Sequence, residues 1–175
     1  MMRDGGAEIP QTAAEVLRKV IIRVALPEDV VSISKLWLQF MEHNARFDSS
    51  FAVKSKIVGR FARELEQHLD DRNYRITVAD VDKRLCGYCL SYISKKPYFF
   101  RLGKFGFIGE LFVEESFRRH GIGAMLVDDA HGFFKRKKIQ QVELLVAHGS
   151  QNTLRFWEKQ GYSPLLHWMY KKEQG

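Results

Sequence analysis

The sequence predicts a mixed α/β (α+β) fold: a central mixed sheet of about six or seven strands with helices on both faces. Three observations carry this expectation. The elements read in the order strand, two helices, three strands, helix, strand, helix, strand, which is neither doubly wound nor a pure meander. The chain has 175 residues, 45% hydrophobic and 28% charged, the length and balance of one domain around one core. Residues 107–130 join an apolar strand to a helix-spaced apolar segment through a basic turn that contains two glycines.

Residues 1–19 read as a loose leader, because Gly5, Gly6 and Pro10 interrupt them, although residues 15–19 can form a short helix. The domain is expected over residues 20–175. Residues 20–24 form its first strand. Pro27, Glu28 and Asp29 then open a helix: proline suits a first turn and acids suit its positive end. That helix runs through Leu36, Trp37 and Phe40 to about Asn44, and residues 47–52 form a loop. A second helix over 56–69 lines up Ile57, Phe61, Leu65 and Leu69 in one stripe. Residues 74–79 and 85–93 read as a hairpin across residues 80–84. A loop over 95–103 carries the aromatics Tyr98, Phe99 and Phe100. The strand at 107–113, the helix after the glycine turn, a strand at 141–146, a late helix and a last strand at 166–171 complete the order.

Composition excludes several classes. No apolar run is long enough to span a bilayer, so no membrane partner is expected. Residues 1–8 lack an apolar signal core, which points to a cytoplasmic location. Cys86 and Cys89 have Cys-x-x-Cys spacing, but no second pair completes a zinc site and no thioredoxin pattern surrounds them. They read as small core-lining residues, and no metal is expected. The net charge of +7 favours polyanions, with the densest run at Lys135, Arg136, Lys137 and Lys138. That run reads as a solvated helix end, so no nucleic acid is invoked.

The turn between strand and helix has the chemistry of an anion cradle. Helix-start N–H groups lack intrahelical acceptors, and the helix dipole adds positive potential there. Gly121 and Gly123 allow a phosphate to approach the backbone, and Arg118, Arg119 and His120 add donors. Gly-Lys-Ser/Thr is absent, so this is not a Walker loop. No third glycine follows at the dinucleotide spacing, since Gly121-Ile122-Gly123 continues to Ala124-Met125-Leu126. The arrangement Arg-x-x-Gly-x-Gly, directly after a strand and opening a helix, resembles the pyrophosphate loop of the GNAT superfamily of acetyl-CoA-dependent N-acetyltransferases. A second segment, residues 150–162, resembles the late helix of the same superfamily, Asn-x-x-Ala-x-x-(Phe/Leu)-Tyr-Glu-Lys-x-Gly-Phe. There Ser150 takes the Asn position, Thr153 the Ala position and Trp157 the Tyr position, counted back from Gly161.

The resemblance implies a sheet that splays after the signature strand, with the pantetheine arm of acetyl-CoA in the splay. It implies that pantetheine amides pair with the backbone of Leu111, Phe112 and Val113. It implies that the pyrophosphate meets Arg118, Arg119, His120, Gly121, Ile122, Gly123 and Ala124. Ser150 keeps a hydroxyl in place of the family's Asn, and nearby Asn152 can supply the missing amide. Glu110 is the one acid in an apolar strand. It either handles the proton of the substrate ammonium or is a solvent-facing or salt-bridged strand residue. Trp157 departs from the family's Tyr, because an indole N–H is not a practical proton source. It is expected at the cofactor sulfur. His43, Phe47 and Asp48 fall in the region that walls the acceptor pocket in this superfamily, and each also reads as an ordinary loop or cap residue. Tyr98, Phe99 and Phe100 read as the opposite wall or as a dimer contact. The expected activity is acetyl transfer from acetyl-CoA to a primary amine of a small molecule by direct attack. The alternatives are a protein or peptide N-acetyltransferase, or a non-catalytic CoA-binding module. A homodimer is the family habit.

Overall fold

A computed structural model describes Leu17 and residues 19–171. The leader expected over residues 1–19 lies outside the described residues apart from Leu17 and Lys19. The chain forms two compact units, one ending at Leu145 and the other beginning at Val146.

The larger unit is built on a five-stranded sheet in the order β1-β2-β3-β4-β5. β1 (Val20–Val24), β2 (Tyr74–Val81), β3 (Arg84–Lys95) and β4 (Lys104–Val113) pair antiparallel, and β5 (Val142–Leu144) joins β4 in parallel. Three helices accompany them: α1 (Val30–Ala45), α2 (Val58–His68) and α3 (Ile122–Arg136). Pro27–Asp29 forms a single 3-10 turn before α1. Asp29 fixes the entry: its carboxylate accepts from the Leu26 amide at 2.8 Å and from Arg23 at 2.6 Å.

Period-two alternation assigns the two faces of the sheet. Ile76, Val78, Tyr88 and Phe112 point one way and form a core with Ile33, Leu36 and Trp37 of α1 and Leu65 of α2. Arg75 and Thr77 point the other way, toward α3. Asp129 of α3 takes two bonds from the Arg75 guanidinium, both 2.8 Å, and one from the Thr77 hydroxyl at 2.6 Å. Burial works to raise the Asp129 pKa, but these donors hold its carboxyl below the ordinary value. An ion pair with this many satisfied bonds fixes α3 on the sheet.

Of the differences from expectation, which include an earlier start of β4 at Lys104 and a shorter β5, two reshape the sheet. The hairpin loop contracts from five residues to two, because Val81 pairs with Arg84 and both intervening residues are left-handed, Asp82 at φ 52° and Lys83 at φ 67°. Positive φ at both positions matches the twist of the flanking strands, so the ladder runs further than the apolar pattern suggests. The sheet also has five strands rather than six or seven. Residues 166–171 form no strand. Among its described residues the smaller unit holds one helix, α4 (Gln151–Lys159), and no strand that could share a ladder with them. Their apolar side chains are exposed, as at Trp168 and Met169.

α4 ends in a complete Schellman cap. Tyr162 N–H donates to the Trp157 carbonyl at 3.0 Å and Gly161 N–H to the Glu158 carbonyl at 3.0 Å. Gly161 stands at φ 85°, which only glycine adopts without strain, and the Trp157 and Tyr162 rings meet edge-on at 5.1 Å. The segment Trp-Glu-Lys-Gln-Gly-Tyr therefore has a local structural reason of its own.

Candidate active site

β4 organises the site through two irregularities. The first is a bulge. Ile108 pairs with Ser91 and Glu110 with Leu90, so Gly109 has no partner on β3. Strict alternation would put Glu110 on the face of Ile108, toward α3. The extra residue reverses the alternation and turns Glu110 to the face covered by α1 and α2.

The second irregularity is the splay. β5 pairs with β4 only over Gly106, Phe107 and Ile108. Beyond Ile108, β4 continues to Val113 without a neighbour on that side among the described residues of its unit. The Glu114 amide donates to the Cys86 carbonyl at 2.8 Å, which sets the phase of the β3–β4 ladder. By alternation Phe112 bonds back to β3, while the backbone groups of Leu111 and Val113 face the open edge. One of these is already engaged: Arg118 Nε donates to the Val113 carbonyl at 2.9 Å.

The basic turn follows directly. Glu115–Phe117 forms a 3-10 turn, and Arg119 (φ 65°) and Gly121 (φ 80°) are both left-handed. Gly121 caps α3, whose first intrahelical bond runs from Met125 to the Gly121 carbonyl. The amides of Ile122, Gly123 and Ala124 thus have no intrahelical acceptor. Among the described residues, a Cβ added at Gly121 would meet only Leu17, at 3.7 Å, so no described side chain fills the space above the turn. His120 Nδ1 is buried without a hydrogen-bond partner among the described residues. Alternating left-handed residues, free helix-start amides and an unsatisfied imidazole nitrogen together suit an anion.

On the α1/α2 face, the Glu110 carboxylate accepts from the Tyr88 hydroxyl at 2.7 Å. Burial pushes the Glu110 carboxyl up to about 7, against the opposing effect of donors from Tyr88 and Trp37. Tyr88 is fully buried, and that burial, with Glu110 beside it, holds its phenol well above the ordinary value. Tyr88 is therefore a fixed donor. Glu110 lines a pocket of about 420 Å³ whose walls include Trp37, Phe61, His68, Tyr74 and Tyr92. Trp37 and Phe61 stack at 4.3 Å, and His68 and Tyr74 stack at 3.8 Å. Glu110 thus faces α1 and α2 rather than α3, and no ion pair to it is found among the described residues.

The other candidate residues fall elsewhere. His43 lies near the end of α1, edge-on to Phe47 at 5.5 Å. Burial, followed by the charges of Arg118 and Arg46, lowers its pKa. Asp48 caps the Ser49–Phe51 turn by accepting from the Ser50 amide at 2.7 Å. None of these three lines the Glu110 pocket. Tyr98, Phe99 and Phe100 sit exposed in the β3–β4 connection. In the smaller unit Ser150 is buried and donates to Thr153 at 2.7 Å, Asn152 is exposed, and Trp157 is buried. Tyr88, Trp37 and the pocket's aromatic wall carry no local sequence signal. Tyr88 becomes Glu110's neighbour only through the β3–β4 register, which sets Tyr88 beside the Leu90–Glu110 pair.

The description acetyltransferase (GNAT) family matches residues 35–162. The chain belongs to the GNAT family of acetyltransferases. Solved structures share the GNAT fold at low identity. A GCN5-related N-acetyltransferase from Ralstonia eutropha JMP134 is 19% identical with a TM-score of 0.71, covering 89% of this chain and 99% of its own. A predicted acetyltransferase with acetyl-CoA from Clostridium acetobutylicum is 15% identical with a TM-score of 0.68, covering 87% and 96%. An aminoglycoside acetyltransferase from an uncultured soil metagenomic sample, in complex with sisomicin, is 18% identical with a TM-score of 0.64, covering 91% and 100%. No curated protein matches the sequence. Among the described residues of this GNAT chain, no helix is long and apolar enough to cross a membrane, and no cluster of side chains is placed to hold a metal.

Proposed function

We propose that this GNAT chain transfers an acetyl group from acetyl-CoA to the primary amino group of a small molecule, by direct attack and without an acyl-enzyme. The observation that carries the reading is Glu110: a carboxyl raised to about 7, held by Tyr88, in a pocket beside the open edge of β4.

Acetyl-CoA supplies the acyl group as a thioester. The residues proposed to hold it are the backbone of Leu111 and Val113 for the pantetheine arm, and Arg118, Arg119, His120 and the amides of residues 121–124 for the pyrophosphate. The splay, the open turn and the orphaned His120 nitrogen support this assignment. Phe112 contributes its ring to the core rather than its amide to the edge.

An alkylammonium has a pKa of roughly 10 and must lose a proton before it can attack. Glu110, with its pKa near operating pH, accepts that proton directly or through one water. The neutral amine then attacks the thioester carbon to form the C–N bond, the C–S bond breaks as CoA departs as thiolate, and the second proton lost by the acylated nitrogen passes to solvent or to that thiolate. Ordinary thiols have pKa near 8.5, so departure without a proton donor is chemically reasonable, which accommodates Trp157 in the family's Tyr position. The likeness in fold to an aminoglycoside acetyltransferase supports a small-molecule acceptor. The test is mass-detected acetyl transfer across polyamines, amino acids, aminoglycosides, arylalkylamines and peptides, with wild type and Glu110→Gln side by side. Transfer by neither protein, with CoA binding intact, would replace this reading with a non-catalytic CoA-binding one.

A further inference from the structure

From the chemistry of the Glu110 pocket we infer the acceptor class: a primary amine with a single cationic centre on an aromatic or apolar body. This rests on the reading of that pocket as the acceptor site.

Three observations support it. Five aromatic rings line the pocket, those of Trp37, Phe61, His68, Tyr74 and Tyr92, and its volume of about 420 Å³ accommodates an arylalkylamine. A second cleft of about 260 Å³ shares Trp37, Phe61 and Glu64 and extends the apolar wall through Val53 and Ile57, with Arg60, paired to Glu64, at its side. The surface offered to the body of the acceptor is therefore mainly aromatic and aliphatic.

The charges argue against other amines. Only two acids, Glu110 and Glu64, line the main pocket. Glu110 is the proposed proton acceptor. Glu64 is largely exposed and already paired with Arg60 at 3.0 Å, so it is a weak anchor for a second ammonium. A polyamine or an aminoglycoside brings several cations, each of which would be set against aromatic walls with too few carboxylates. Among the described residues no Lys or Arg lines the main pocket, and Arg60 in the adjoining cleft is paired with Glu64, so an amino-acid carboxylate has no unpaired cation to meet there. One ammonium at Glu110 with an aromatic body along Trp37 and Phe61 satisfies every group. Ring faces are also favourable to the cation before it loses its proton.

The experiment compares kcat/KM for phenethylamine, propylamine, spermidine and sisomicin, in wild type and in Phe61→Ala. In the wild type phenethylamine should exceed both spermidine and sisomicin by at least about tenfold, the scale of burying one aromatic body. Phe61→Ala should cut the phenethylamine-to-propylamine ratio about tenfold with CoA affinity unchanged, a selectivity readout that general loosening would not produce. If Phe61→Ala does not fold, Phe61→Leu keeps apolar volume but removes the ring, and should lower the ratio about threefold. Preference for spermidine or sisomicin, or an unchanged ratio in a folded variant, overturns the inference. If no amine is acetylated, calorimetry with phenethylamine at pH 8 decides. Binding that Phe61→Ala weakens upholds the acceptor class and overturns only the catalytic reading; no binding overturns the inference itself.

Discussion

The turn over residues 118–124 presents backbone amides from one segment, whereas the pocket around Glu110 is built from side chains of five elements: α1, α2, β2, β3 and β4. The turn needs left-handed residues and a helix start, so its requirements are local and appear as glycines and arginines within a few positions. The pocket needs an acid made basic by its surroundings. Those surroundings come from Trp37, Phe61, Tyr88 and Tyr92, which are distant in sequence and differ little from ordinary core residues. An anion site made of amides leaves a signature in one segment; a tuned carboxyl does not. Variants that disable one region and spare the other test whether the two act separately.

The largest expected effect is at Glu110. Glu110→Gln should lower kcat/KM about 10²–10⁴-fold at pH 8, the usual worth of a general base. Wild-type activity should rise through pH 7 as Glu110 ionises, and the variant should lose that inflection. The gap should narrow below pH 7, where the wild-type carboxyl holds its proton. CoA affinity by calorimetry should match wild type, and a parallel loss of it would merge the two regions into one.

Next comes the turn. Gly121→Glu puts a carboxylate into the anion space and should weaken CoA binding at least about 100-fold by calorimetry, since like charges in a partly buried site cost several kcal/mol. A non-glycine at φ 80° also costs about 1–2 kcal/mol of stability, so folding is checked by thermal melts alongside. Unchanged CoA affinity in the folded variant would remove the turn as the phosphate site. Arg118→Ala should be milder, about tenfold weaker CoA binding at low salt and less at high salt, because part of its contribution is screened.

The smallest effect sharpens the comparison from the side of stability. The Glu110 carboxyl titrates near 7 when folded, against an ordinary 4.5. Below 4.5 both states hold the proton and stability does not depend on the ionisation of this group. Between 4.5 and 7 the folded state holds the proton and the unfolded state does not, so stability falls as pH rises through that window. Glu110→Gln removes this cost and should raise Tm by about 5 °C at pH 8, with no gain at pH 4. An equal shift at both pH values would mean that Glu110 is not desolvated.

The legibility of the fold follows the same division. β1 was readable residue for residue, and the helices were readable within a few positions, because apolar periodicity and the Pro27–Asp29 start are local signals. The hairpin turn was not, because Asp82 and Lys83 are left-handed without being glycine. The strand expected at 166–171 failed because apolar alternation makes a strand only where a ladder exists to receive it. Within the candidate site, the glycines and arginines of the turn and the lone acid of β4, Glu110, stand out in the sequence. The direction of Glu110 does not, because the bulge at Gly109 reverses the alternation that sequence reasoning relies on. The Arg75–Thr77–Asp129 cluster that fixes α3 was also invisible, since 52 residues separate Thr77 from Asp129.

Cys86 and Cys89 lie buried in β3, the middle strand of the sheet, with both thiols free and burial pushing each up to about 12. Only a thiolate reacts with an alkylating reagent, so both are silent while the sheet is closed. Each uptake of label then records an opening of the strand next to β4, and the unaltered protein carries its own clock for that event. A ligand that binds the folded state should slow the clock in proportion to its occupancy, which allows binding to be followed without assuming any chemistry of transfer.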